Sequence, residues 1–254
     1  MSPPTIGAIV FTSTLGGALA GMRLRESLPG HHLSDDSKDT IKLGIGLIAT
    51  MTALVLGLVT ASAKSAFDAM DTAVKQGAED VLALDRTLAR YGPETGEIRA
   101  AVKEAILRRI ELTWPEGPSR PADELDPSAL LGSVEKVADQ IRALTPQNDT
   151  QRYLQSRATD LTETLLEARW AGLGGSSTSI PPLFLLVILF WLTVTFTSFG
   201  LFAPRNATVF AVLVVCALSV AGAVFLITEL DQPFDGLLRV SADPMRFAYA
   251  HLDR

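Results

Sequence analysis

"IPPLFLLVILFWLTVTFTSFGLFAPRNATVFAVLVVCALSVAGAVFLIT", Ile180–Thr228, decides what kind of protein this is. Its only charged residue is Arg205. Crossing a hydrocarbon layer about 30 Å thick takes roughly 20 apolar residues in a helix. Ile180–Ala203 and Ala207–Thr228 each meet that length, and only Pro204–Asn206 separates them. The pair therefore predicts an antiparallel hairpin of membrane-spanning helices. Pro181 and Pro182 sit at the start of the first, where a missing N–H breaks no helical bond.

Two more segments upstream satisfy the same criterion, Pro4–Met22 and Leu43–Ala63, and none of the four contains Asp, Glu, Lys, Arg or His. The first lacks a preceding Lys or Arg, which argues against a cleaved signal peptide. Its Gly16, Gly17, Ala20 and Gly21 provide the small surfaces that let helices approach closely in lipid. The expected fold class is an all-α membrane protein, with four transmembrane helices and a helical extramembrane domain between the second and third. In residue numbers this gives helix 1 at 4–22, a short loop at 23–42, helix 2 at 43–63 and the helical domain at 64–179. Helix 3 follows at 180–203, helix 4 at 207–228, and an acidic exit motif with a short C-terminal helix at 229–254. An even number of spans puts both termini and the helical domain on one side. The Lys and Arg counts near the membrane ends tie, so they do not orient the chain, although their density favours the short loops as the inner side.

The helical domain begins without a break. Phe67, Met70, Val74, Val81, Leu84, Leu88 and Tyr91 follow a heptad, with Gly77 as its gap, so helix 2 continues out of the membrane and packs in a bundle or coiled coil. "YGPETG" ends it. A second helix carries Ile98, Val102, Ile106 and Ile110. Asp126-Pro127 can start a third, reaching Leu144, and a fourth spans about Thr150 to Leu173 with Leu154, Ala158, Leu161, Leu165 and Ala168 on one face. The last helix begins near Asp243-Pro244, with Met245, Ala248 and Leu252 as its apolar face. It can lie at the membrane interface or dock on the bundle.

The 254 residues carry a formal net charge of -6, which leaves no basic face for nucleic acid. One cysteine, Cys216, lies within an apolar run and provides neither a disulfide nor a multi-cysteine metal site. No catalytic triad, phosphate loop or HExxH occurs, so no enzyme is expected. His31 and His32, ahead of Asp35, Asp36 and Asp39, can bind a divalent metal, sense pH or simply be solvated.

Two sets of residues can carry function. In helix 2, Gly46, Thr50, Ala53, Gly57 and Thr60 recur at steps of four and three, and Lys64 extends the row. This face reads either as a pore wall ending in a cation, which favours anions, or as tight helix packing. Thr193, Thr197 and Gly200 in helix 3 pose the same choice, with packing preferred. The second set is "ELDQPFDG", Glu229–Gly236. Glu229, Asp231 and Asp235 can gather a hard cation such as calcium. They can also belong to a latch, in which Pro233 and Phe234 fix the exit while Glu229 and Asp231 pair with a base from neighbouring helices.

"FGLFAPRN" at Phe199–Asn206, Trp191 in helix 3, the exit Glu229–Pro244, "LGLVTASAKSAFD" and "LDRTLARYGPET" together resemble the bestrophin-like family, bacterial membrane proteins with a domain of unknown function. The resemblance covers most of Leu43–His251 and extends distantly to bestrophins. It implies a homo-oligomeric, pentameric anion channel in the inner membrane, with termini and helical domain cytoplasmic and calcium bound by a clasp next to Pro-Phe. Two features depart from the bestrophin pattern. Only Asp235 follows Pro233-Phe234 where bestrophins have a run of acids, and no aromatic residue occurs between Leu43 and Ala63. The expected function is an ion channel lined by helix 2, with lipid and inorganic ions as partners. The alternative is a non-conducting scaffold or sensor that binds a partner through the helical domain.

Overall fold

The computed structural model describes residues 2–29, 35–115, 127–174, 180–204 and 206–253, with only the backbone given at helical positions 35–37, 127–131, 133 and 168–174. The helices are α1 (Pro3–Ser27), α2 (Asp35–Tyr91), α3 (Gly96–Thr113), α4 (Pro127–Arg142), α5 (Asp149–Gly174), α6 (Pro182–Phe202), α7 (Ala207–Leu230) and α8 (Asp243–His251). No strand occurs among the described residues. Four helices are long and apolar enough to cross a membrane: α1, α2, α6 and α7. His31, His32, the Asp126 cap, residues 175–179 and Arg205 lie outside the described residues.

The helices run past the apolar limits of the spans. α1 continues through Arg23 and Arg25 to Ser27, α2 is already helical at Asp35, and α7 includes Glu229. A charged side chain in water leaves the backbone hydrogen bonds intact, so hydropathy marks the hydrocarbon and not the helix end. Asp39, assigned to a loop, is therefore helical and pairs with Lys42 at 3.1 Å.

The chain forms two compact units. The membrane unit holds residues 1–67 and 178–238. Its core joins Val10 of α1, Val59 and Ala63 of α2, Ile188 and Leu192 of α6, and Ala221, Val224 and Ile227 of α7. α1 packs on both α6 and α7. The crossing with α6 is tight because glycines line both sides. A Cβ placed on Gly21 would overlap the Thr197 carbonyl oxygen, and one on Gly200 would overlap that of Ala18. Thr193 and Thr197 belong to this contact, 3.2 and 2.8 Å from a Cβ built at Gly17. Packing is thus the use of the helix 3 row. A Cβ built on Gly16 would meet nothing within 4 Å, so only part of the α1 glycine run serves the crossing. Thr14, Thr193, Thr195 and Thr197 each donate to the carbonyl four residues earlier, which satisfies their hydroxyl protons where water is excluded.

The helical unit holds residues 68–177 and 239–254. The predicted heptad forms its core: Val74, Val81, Leu84, Leu88 and Tyr91 are buried, as are Ile98, Val102, Ile106 and Ile110 of α3 and Ala158, Leu161 and Leu165 of α5. Gly92, with φ at +150°, ends α2 in a conformation that side chains disfavour. Thr95 then closes the corner by donating to Leu88 O at 2.7 Å. α8 docks on α3, and Met245 and Ala248 are fully buried. The gap in the heptad has a physical purpose, because a Cβ on Gly77 would lie 3.2 Å from Met245 Cε. Trp114 Nε1 donates to Val240 O at 2.8 Å. Residues 239–253 thus pack within the same unit as residues 68–115.

An ionic cluster ties that unit together. Asp85 is 2% exposed and receives Arg99 Nε at 2.7 Å and a second guanidinium nitrogen at 3.0 Å. Asp253 lies 3.8 Å from Arg99 and accepts from Lys103 Nζ at 2.8 Å. The hydrogen bond to Asp85 raises the Arg99 pKa further, against the opposing effect of burial.

Candidate functional site

The membrane part of α2 has three faces. At about 100° per residue, Thr52, Val59 and Ala63 share a sector, and all three are buried in their own protomer. Gly46, Thr50, Ala53, Gly57, Thr60 and Lys64 fall in a second sector, roughly 120° away. Gly46, Thr50, Ala53, Gly57 and Lys64 are exposed, and Thr60 is half-buried. Nothing lies within 4 Å of a Cβ built on Gly46 or Gly57. Leu43, Leu47, Met51, Leu54 and Leu58 form the third sector and are exposed as well. Gly46, Thr50, Ala53 and Gly57 are therefore not used for packing inside the protomer, in contrast to Gly17 and Gly21 of α1 and Gly200 of α6.

The chemistry of this face is specific in one respect. Thr50 Oγ1 donates to Gly46 O at 2.8 Å, and Thr60 Oγ1 donates to Leu56 O at 2.7 Å. Their protons are spent on the helix, so the hydroxyls offer lone pairs outward. Lys64 is then the only member of the row that offers a positive charge.

At the exit, Glu229 lies in the last turn of α7 and is 2% exposed. A carboxylate there faces the negative end of the helix dipole. The following loop compensates, since Leu237 N–H donates to Glu229 Oε2 at 2.7 Å and Leu238 N–H approaches the same oxygen at 3.4 Å. Gly236 makes this return possible. Its φ is +90°, and a Cβ there would lie 3.0 Å from Glu229 Cδ. Asp231, Pro233 and Phe234 are half-buried, whereas Asp235 is exposed. The expectation pairs Glu229 with a base; in the structure its carboxylate accepts from backbone amides of its own loop. Glu229→Ala is expected to cost about 2 kcal/mol, by orphaning a buried amide, and Glu229→Gln much less, since its carbonyl still accepts. Thermal unfolding in detergent separates them, and equal losses would refute the capping role.

One Glu229 oxygen is committed to amides, and no group of three His, Cys, Asp or Glu placed to hold a metal occurs among the described residues. The sequence provided no signal for the Leu237 and Leu238 donors, because a backbone N–H looks the same in every residue. The Asp85–Arg99 pair was equally silent, its partners being fourteen positions apart with no periodic relation.

A family model, the Bestrophin-like domain, matches residues 13–245. No curated protein matches the chain, and no solved structure does.

Proposed function

The chain belongs to the Bestrophin-like family, and we propose that this membrane protein is a homo-oligomeric ion channel, with anions favoured and the small face of α2 as the pore wall. One observation carries the reading: Gly46, Thr50, Ala53 and Gly57 are exposed, while a separate sector of α2, with Thr52, Val59 and Ala63, is buried in its own protomer. A helix that lines a ring needs one face for its own subunit, one for the lumen and one for a neighbour or lipid. α2 has three such faces, and the small one leaves the widest lumen. The large aliphatic face then meets the neighbour or lipid. A ring of five, in the inner membrane with termini and helical domain on the cytoplasmic side, follows from the likeness to bestrophins. A reporter fused after Arg254 reads that side.

Selectivity rests on Lys64 in this reading, because the threonine protons face inward on the helix. Reconstituted into planar bilayers, the protein is expected to conduct. Lys64→Glu is expected to shift the reversal potential in a salt gradient toward cations. A stable monomer with no current across calcium and pH conditions would refute the channel, whereas an unchanged reversal potential would refute only the role of Lys64. A stoichiometric partner captured on the helical unit, with no self-assembly, would instead establish the scaffold.

A further inference from the structure

We infer that the cleft between the end of α1 and the start of α7 binds the phosphate headgroup of an anionic lipid. The cleft has a volume of about 480 Å³ and is lined by Leu19, Met22, Arg23, Asn206, Ala207 and Phe210, a size ordinary for a small-molecule site. Its chemistry is divided: Leu19, Met22, Ala207 and Phe210 form apolar walls, and Arg23 and Asn206 provide the polar end.

Those polar groups are available. Arg23 is exposed and has no hydrogen-bond or ion-pair partner among the described residues, whereas Arg25, two residues on, is committed to Ala203 O at 2.7 Å. Asn206 accepts the Val209 N–H through Oδ1 at 2.7 Å. That bond fixes its amide orientation and leaves the NH2 group as a donor. A guanidinium and an amide together suit a phosphodiester, which presents only acceptors.

Depth in the bilayer selects the occupant. α7 has 24 residues, so it is about 36 Å long against a hydrocarbon layer of about 30 Å. Its first turn, with Ala207 and Phe210, therefore lies at the boundary between acyl chains and headgroups. Phe210 is 44% exposed and lies where an acyl chain begins. A free phosphate satisfies Arg23 but leaves the apolar walls bare, and an uncharged amphiphile does the reverse. An anionic lipid satisfies both. This assignment is independent of whether the protein conducts.

Native mass spectrometry of the purified, assembled full chain in detergent tests it, with dioleoylphosphatidylglycerol, dioleoylphosphatidylcholine and glycerol 3-phosphate as probes. Phosphatidylglycerol should bind at least about tenfold more tightly than phosphatidylcholine, because both offer the phosphodiester but choline brings a second cation up to Arg23. Arg23→Gln should abolish that preference, and Arg152→Gln in the helical unit should preserve it. Equal binding of the two lipids by the native protein overturns the inference without any variant, as does a preference that survives Arg23→Gln. Displacement of phosphatidylglycerol by equimolar glycerol 3-phosphate would make the site one for free phosphate. An assembled oligomer that binds neither lipid would make the cleft an interface between copies, and the inference would fail.

Discussion

Gly200→Ala is expected to destabilise the membrane unit by about 3 kcal/mol, at the upper end of the usual cost of overpacking. The added Cβ would occupy the position of the Ala18 carbonyl oxygen, and in Gly21→Ala that of Thr197. Backbone stands on both sides of this contact, so no side chain can swing aside and α1 must separate from α6. In lipid that separation forfeits the dispersion contacts that hold helices together, because there is no hydrophobic force between them. Gly16→Ala is the control. Nothing lies within 4 Å of its Cβ, and the better helix propensity of alanine should stabilise by up to about 1 kcal/mol. Opposite signs at Gly16 and Gly200, read as shifts in apparent Tm in detergent, would support the crossing. A Gly200→Ala variant as stable as the native protein would refute it.

Arg99→Met is the other large loss expected, about 3 kcal/mol in the helical unit. Asp85 is buried, and removing its partner strands a charge whose desolvation is no longer compensated. The figure belongs at the low end for a broken buried pair, because the Arg99 side chain is 19% exposed and water can enter the vacated space. Restoring neutrality should recover most of the loss, so the double variant Asp85→Leu with Arg99→Met should be more stable than Arg99→Met alone. Unfolding in urea, followed by helical circular dichroism, measures both. Additive losses in the two single variants and the double would show that the pair does not act as a unit. Lys103→Ala should have little effect by comparison, since its contact with Asp253 lies at the surface.

The parts of this molecule that were legible in its sequence are those with a local cause. Apolar length identified α6 and α7, and the heptad marked the buried stripe of α2 from Val74 to Tyr91, including the gap at Gly77, whereas its first members Phe67 and Met70 are only half-buried. Local pattern was silent on what fills that gap, since Met245 arrives from the far end of the chain. Local pattern was also equivocal at the small-residue rows, which look alike in α2 and α6. One row is buried against α1 and the other faces outward, and only the positions of the neighbouring helices distinguish them.

The same distinction holds at the exit. "ELDQPFDG" announced a turn and a cluster of acids, both set by residue type. That Glu229 is buried and caps Leu237 and Leu238 depended on where the loop returns. By itself, the sequence determined that four helices suit a membrane and that one continues into a helical unit, because hydrophobic length and period are properties of a single segment. The tertiary structure decided which faces are covered and which charges find partners, as well as where α8 docks, because each of these depends on surfaces far apart in the chain meeting in space.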